Sequence, residues 1–208
     1  MKTHQILIAT LLACLALTAT AADDFVAGQH YQLVTPAQPT TTGDKVEVIE
    51  LFWYGCPHCN AFEPLVQEWL KKKPDYVEFV RIPAVFAQNW EVHARAFYAA
   101  QQLGVLEKIH KPLFDAIHVQ SRKLFSVEEL TAFFVEQGVT AADFHKAYNS
   151  FDVDTKTRHA MALTREYGIS GVPSIIVNGK FRSSAQQTGS LENLLKLVDF
   201  LAAKEHSQ

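Results

Sequence analysis

One stretch of the sequence, residues 46–59, restricts the possible fold more than any other. Residues 46–53 are mostly β-branched and aromatic, and the run is too short for a typical helix, so it predicts a buried strand. The strand leads into Gly55-Cys56-Pro57-His58-Cys59, and helical spacing of apolar residues begins at Pro57, which suits a first helical turn. The sequence therefore predicts a cysteine pair at the start of a helix that directly follows a buried strand.

The remaining sequence predicts a sheet interrupted by helices. A second strand is predicted at residues 76–82. Five helical segments without a strand signal between them are predicted at residues 90–103, 105–117, 126–137, 141–150 and 152–167. Strands at 174–177 and 180–182, joined by an Asn178-Gly179 turn, and a helix at 190–203 complete the chain. This order predicts an α/β domain formed by residues 23–85 and 168–208, with a helical domain, residues 86–167, inserted into it.

Composition excludes several classes of protein. With 48% apolar and 20% charged residues, a chain of 208 residues can bury a core, which excludes disordered and low-complexity proteins. The formal net charge is only -3, and no run of like charge is longer than the three lysines at 71–73. No nucleic-acid partner is therefore expected.

The first 22 residues have the pattern of a secretory signal peptide. A lysine precedes an apolar stretch at residues 6–17, and small residues up to Ala22 offer a cleavage site. The stretch is too short to span a bilayer, so cleavage is expected to leave a soluble, monomeric protein. A lipoprotein signal with Cys14 as the lipidated residue is the alternative, although apolar sequence continues beyond that cysteine.

The cysteine pair is expected to be redox-active because of its place in the fold. A thiolate at a helix N-terminus faces unpaired backbone N–H groups and the positive end of the helix dipole, which lower its pKa. Cys56, the outer residue, is the predicted nucleophile, and Cys59, one turn further, is predicted to be buried and to resolve mixed disulfides. His58 lies between them and can place another donor near the sulfur. A low thiol pKa also makes the corresponding disulfide more oxidising.

Four motifs, in order along the chain, carry a resemblance to a known family. They are residues 50–52 of the first strand, Cys56-Pro57-His58-Cys59, Gly171-Val172-Pro173 and Val177-Asn178-Gly179-Lys180. With these motifs the sequence resembles the DsbA family of bacterial periplasmic thiol:disulfide oxidoreductases. The resemblance implies a thioredoxin fold with an inserted helical domain, and an oxidase that donates disulfides to exported proteins. A DsbB-like membrane quinone reductase would reoxidise the enzyme, and no dissociable cofactor or metal is expected.

The resemblance also implies roles for residues outside the cysteine motif. Pro173 would be a cis proline that faces the cysteines, with Val172 before it, and the backbone there could pair with an extended substrate peptide. Glu50 would be buried beneath Cys59 and accept its proton. Many relatives pair this carboxylate with a lysine on the next strand, where this sequence has Arg81. An arginine can pair with Glu50 but stays protonated, so it cannot relay protons.

Each of these residues also has a plainer interpretation. The cysteines could be half of a zinc site or an inert structural disulfide, although no second Cys-x-x-Cys pair supplies further ligands. His58 could be an exposed loop residue, Glu50 could reach solvent at a strand edge, and Pro173 could be a trans turn residue. Trp53 and Tyr54 are expected to pack around the site. The other histidines of the helical region are expected to be solvated and without a role; they are His93, His110, His118, His145 and His159.

Two other activities fit the same motif. A disulfide isomerase or reductase would use the same chemistry, but isomerases of this general fold usually carry an N-terminal dimerisation domain, and only residues 23–45 precede the first strand. A thioredoxin-fold chaperone would bind unfolded chains without redox turnover. Such a chaperone would keep its activity after loss of Cys56, whereas an oxidase would not.

Overall fold

The computed structural model describes residues 25–208, so the predicted signal peptide and Cys14 lie outside the described residues. A five-stranded sheet has the order β1-β5-β4-β2-β3. Its strands are β1 Gln32–Leu33, β2 Val46–Phe52, β3 Val77–Pro83, β4 Ser174–Val177 and β5 Phe181–Ser184. Strands β2 and β3 are parallel, and the other neighbours are antiparallel. The sheet thus joins the early and late parts of the chain, as the sequence predicts.

Eight helices accompany the sheet in the described part of the chain. They are α1 Pro57–Leu70, α2 Gln88–Gln102, α3 Leu106–His118, α4 Val127–Glu136, α5 Ala141–Tyr148, α6 Phe151–Glu166, α7 Ala185–Thr188 and α8 Leu191–His206. Helices α2 to α6 all lie between β3 and β4 in sequence. The five helices predicted there are confirmed, and Ser126 and Glu129 form the capping box expected at the start of α4.

Local signals set the hairpin and the position of the helical segment. Asn178 and Gly179 both have positive φ, 51° and 64°, which a two-residue hairpin turn requires. Where the helical segment begins and ends, the Val85 amide donates a hydrogen bond to the Thr164 hydroxyl at 3.1 Å. This contact brings the two ends of the helical segment together, as an insertion requires.

Strand β2 lies inside the sheet, between β4 and β3, and carries the chain to the cysteines. All seven of its residues are buried. Apolar side chains on one side of the sheet pack against α1 and α8, and those on the other pack against the helical segment. None of the helices in residues 25–208 is long and apolar enough to cross a membrane. The end of a rigid, buried strand therefore fixes the position of Cys56.

Candidate active site

Cys56 is the residue that caps the N-terminus of α1. Its backbone is extended, Pro57 is the first helical residue, and no side chain caps the helix. The first N–H groups of the helix therefore remain available to the Cys56 sulfur. A hydrogen bond from the Cys59 thiol, backbone N–H groups of Cys59 and His58, and the His58 side chain together outweigh burial and lower the pKa of Cys56 to about 5. Cys56 thus lies at the helix N-terminus, the position at which the sequence analysis expects a stabilised thiolate.

Cys59 lies one turn into α1 and has a different environment. Its side chain is fully buried, whereas Cys56 keeps 8% of its surface exposed. Burial raises the pKa of Cys59 well above its usual value, and the neighbouring Cys56 and Glu50 act in the same direction. Both cysteines are free thiols here, so the structure represents the reduced form. At neutral pH the pair consists of one thiolate and one thiol.

The loop before β4 faces the cysteines. The peptide bond between Val172 and Pro173 is cis, and the Val172 carbonyl oxygen lies 3.4 Å from the Cys56 sulfur. The Ser174 hydroxyl donates a hydrogen bond to the Gly171 carbonyl at 2.7 Å and braces the loop. Beside it, a cavity of about 440 Å³ is lined by residues 170–174, by the exposed His58 and by residues from β5, α7 and α8. An extended chain that reached Cys56 would therefore contact this loop.

A buried carboxyl group, that of Glu50, is close enough to Cys59 to affect its pKa. Glu50 is only 2% exposed and is paired in register with Arg81 on β3. The Arg81 Nε atom lies 3.3 Å from Glu50 Oε2, although the two are not aligned as a hydrogen bond. Burial raises the pKa of Glu50 to about 8, the charge of Arg81 opposes this shift, and the charge of Glu63 adds to it. Glu50 can thus hold a proton at neutral pH beside a buried thiol.

Sequence comparisons identify relatives over nearly the whole chain. The family model of the DSBA-like thioredoxin domain matches residues 47–196. The thiol:disulfide interchange protein DsbA of Pseudomonas aeruginosa is 40% identical over 206 residues, with 98% of each chain covered. The corresponding protein of Pseudomonas syringae is 40% identical over 191 residues, with 92% of this chain and 89% of the relative covered. The chain belongs to the DsbA-like thioredoxin family.

Solved structures show the same relationship for the fold. A crystal structure of Pseudomonas aeruginosa DsbA superposes with a TM-score of 0.85 at 41% identity, covering 89% of this chain and 97% of the other. The oxidoreductase DsbA from Xylella fastidiosa superposes with a TM-score of 0.82 at 32% identity, covering 88% and 98%. The fold is thus the DsbA-like thioredoxin fold, and this DsbA-family chain is a protein thiol:disulfide oxidoreductase.

The expectation that all five histidines of the helical segment are solvated is wrong for two that are buried. His93 is 1% exposed and His110 is 6% exposed. The His93 ring contacts the Leu124 carbonyl at 2.7 Å, and His110 contacts the Tyr54 hydroxyl at 2.8 Å. A signal was available in the sequence, because His110 falls on the apolar stripe that Leu113 and Phe114 form on α3.

Of the other three histidines in the helical segment, one contacts the backbone of Tyr54 and two are exposed. His118 is half-buried, and its Nε2 atom lies 2.7 Å from the Tyr54 carbonyl oxygen, so the expectation of a solvated ring is wrong there too. His145 and His159 are exposed, as expected. Tyr54 itself is 1% exposed, which confirms that it packs around the site.

Sequence reasoning also missed Glu63 on α1. This carboxylate is 4% exposed and accepts hydrogen bonds from Arg81. Arg81 therefore has two carboxylate partners, Glu50 and Glu63, where the sequence suggested one. In residues 25–208, no group of three or more His, Cys, Asp and Glu side chains is arranged to hold a metal ion.

Proposed function

We propose that this chain is a periplasmic dithiol oxidase that donates the Cys56–Cys59 disulfide to newly exported proteins. The observation that carries the proposal is the opposite ionisation of the two sulfurs, with the pKa of Cys56 lowered to about 5 and that of Cys59 raised. A stable Cys56 thiolate favours the dithiol form of the enzyme, and the disulfide is oxidising for that reason.

The transfer takes place in two exchanges. A substrate thiolate attacks the Cys56 sulfur, forms a mixed disulfide and expels Cys59 as a thiolate, which takes up a proton. The second substrate thiolate then attacks the substrate sulfur of the mixed disulfide and expels Cys56 as a thiolate. The substrate loses two electrons and two protons; the enzyme gains the electrons and one proton, and the other proton goes to solvent.

Five residues around the cysteines would support these exchanges. Pro57 starts the helix without adding an N–H group, and His58 stabilises the Cys56 thiolate. Val172 and Pro173 would present backbone to the substrate chain, since the Val172 carbonyl lies beside the Cys56 sulfur. Glu50, with its pKa near 8, would supply the proton that Cys59 takes up.

The same proposal includes the compartment, the domains and the partner. Residues 1–22 would direct export, residues 23–85 and 168–208 would form the catalytic domain, and residues 86–167 would form the inserted one. A DsbB-like membrane quinone reductase would reoxidise the pair. The intact mass of the protein from an exporting host tests whether residues 1–22 are removed on export. A chain beginning at Ala22 or Asp23 is expected, and a diacylated chain beginning at Cys14 would contradict it.

Oxidative refolding tests the activity directly. A reduced protein with several cysteines is mixed with a glutathione buffer and catalytic amounts of this enzyme, and disulfide formation is followed with time. We expect a faster rate that falls to that of the buffer alone in Cys56→Ala. The Cys59→Ala variant should also lose turnover but should accumulate mixed disulfides. Acceleration confined to scrambled substrates would favour an isomerase, and full activity of Cys56→Ala in preventing aggregation would favour a chaperone.

A further inference from the structure

One arginine of the last hairpin connects the sheet to the end of the helical segment. Arg182 lies in β5, where it pairs with Gln32 of β1, and its side chain is half-buried. Its Nε and Nη2 atoms donate to the Gln32 side-chain oxygen at 3.2 and 2.6 Å. Its Nη1 atom donates to the Tyr167 carbonyl at 2.9 Å and also to the Gly168 carbonyl. A single guanidinium therefore joins β1 to the C-terminus of α6.

The contact suits the chemistry of a helix C-terminus. The last carbonyls of a helix have no partner within it, and they carry the negative end of the helix dipole. An arginine can bond to these carbonyls and also place its positive charge beside them. Gly168 has a φ of 59°, and a Cβ atom there would collide with the Arg182 Nη1 atom. Glycine at this position thus lets the guanidinium reach the chain where it leaves α6.

The chain that Arg182 holds is the start of the loop of residues 168–173, which leads into β4. Within residues 25–208, no hydrogen bond to other backbone holds the backbone of residues 169–170. At the far end of the loop, the Ser174 hydroxyl donates to the Gly171 carbonyl at 2.7 Å. Two side chains, those of Arg182 and Ser174, therefore anchor the two ends of this loop.

The position of the loop matters because it faces the nucleophile. The Val172 carbonyl oxygen lies 3.4 Å from the Cys56 sulfur. Behind the loop is a second cavity, of about 210 Å³, whose lining includes Gln32, Arg182 and residues 168–170. This cavity leaves space for the loop to shift if its first anchor is lost. Such a shift would change the distance between the Val172 carbonyl and Cys56.

We propose that Arg182 is a positioning residue for exchange with extended substrate chains, because it holds the loop of residues 168–173 where a substrate backbone can pair with the loop while its sulfur reaches Cys56. The inference rests on the substrate role given to Val172 and Pro173 above. It assigns β5 and the end of α6 a part in substrate recognition.

Arg182 should have little effect on the reactivity of the thiols themselves. The groups that lower the pKa of Cys56 belong to Cys59 and His58, both on α1. A small dithiol such as dithiothreitol has no peptide backbone and needs only the sulfurs, whereas a peptide must also be oriented by the loop. Loss of the Arg182 anchor is therefore expected to slow the reaction with peptides and to leave the reaction with dithiothreitol unchanged.

The variant Arg182→Gln tests this difference. The oxidised protein is mixed with a short reduced peptide that contains a pair of cysteines, or with dithiothreitol, and the second-order rate constant for reduction of its disulfide is measured. The rate constant with the peptide should fall about 3- to 10-fold, because the loop must then be ordered when the peptide binds. The rate constant with dithiothreitol should stay the same. An equal fall with both reductants, or an unchanged rate constant with the peptide, would overturn the proposal.

A control variant and two further variants complete the series. Lys180→Gln lies in the same hairpin, but Lys180 contacts Glu205 at the end of α8, so both rate constants should stay the same. Arg182→Lys keeps the charge without the planar set of donors and should recover part of the loss. Gln32→Ala removes an exposed partner of Arg182 and should give a smaller fall with the peptide only. It decides the question if Arg182→Gln fails to fold.

A modified peptide separates failure of this inference from failure of the proposed function. Methylation of the backbone nitrogens beside its cysteines removes the N–H groups that could pair with the loop. If the parent protein oxidises the methylated and unmodified peptides equally fast, the substrate role of Val172 and Pro173 is wrong, and this inference is wrong with it. If methylation slows the parent protein but Arg182→Gln does not change the rate, only this inference is wrong. If both are right, methylation should slow Arg182→Gln less than the parent protein, because both changes disrupt the same pairing.

Discussion

The two ends of the first turn of α1 give identical side chains opposite properties. Cys56 lies at the open end of the helix, where the Cys59 thiol, backbone N–H groups and the His58 side chain contact its sulfur and lower its pKa to about 5. Cys59 lies inside, fully buried above a carboxylate, and its pKa is raised. The chemistry of the pair therefore depends on where the helix begins relative to the core, and on the contact between the two sulfurs.

The buried surroundings of Cys59, which include Glu50, should lower the stability of the fold. Since the pKa of Glu50 is raised from 4.5 to about 8, an unfolded chain releases this proton more readily, and the native state loses stability as pH rises between these values. Glu50→Gln should thus raise the free energy of unfolding by about 1–3 kcal/mol at pH 7 and by much less at pH 4.5. Denaturant unfolding at both pH values measures this. Equal effects at both would show that the gain does not come from ionisation.

Cys56, at the open end of the first turn, should affect the stability of the reduced and oxidised forms differently. Only the reduced form has a Cys56 thiolate, and its lowered pKa adds stability that is complete above the unfolded value near 9 and is lost as pH falls through 5. Solvent screens part of this effect at the surface, so the unfolding free energy of the reduced form should fall by about 1–2 kcal/mol relative to the oxidised form between pH 7 and pH 4.

Denaturant unfolding of both forms measures that difference. A variant with both cysteines replaced by serine reports how other groups titrate over the same range and is subtracted. A difference between the redox forms that does not vary with pH would mean that Cys56 is not a thiolate in the folded protein.

His58 should have the smallest effect, because it is one of several donors to the Cys56 sulfur. We expect His58→Ala to raise the pKa of Cys56 by about half a unit to one unit. The disulfide should become less oxidising by up to about 30 mV. Equilibration of mutant and parent protein with glutathione measures the potential, and equal potentials would show that His58 is only an exposed residue of the loop.

Sequence alone predicts the elements whose signals are local. Strand β2, the cysteine-bearing helix and the Asn178-Gly179 turn each depend on neighbouring residues, and all three are where the sequence places them. Strand β1 and helix α7 were missed. Each has four residues or fewer, too short for a hydrophobic period to appear, and β1 exists only because it pairs with β5.

The polar part of the site was harder to predict, because its partners are distant in sequence. The resemblance to the DsbA family suggested the pairing of Glu50 with Arg81, and the parallel register places the two residues side by side. Glu63 and His110 come from two helices whose packing the sequence does not reveal. Whether a histidine is buried or solvated depends on contacts made by the folded chain. The contacts of His110 are therefore seen only in the structure.

The pH dependence of thiol alkylation tests most directly whether the two sulfurs are opposite in ionisation. The reduced protein is treated with iodoacetamide between pH 4 and 9, and the labelled cysteine is identified by peptide mapping. With the pKa of Cys56 near 5, labelling should occur at Cys56, reach half its maximum near pH 5 and leave Cys59 unlabelled at neutral pH. Labelling that begins only near pH 8, or that occurs equally at both cysteines, would contradict the account.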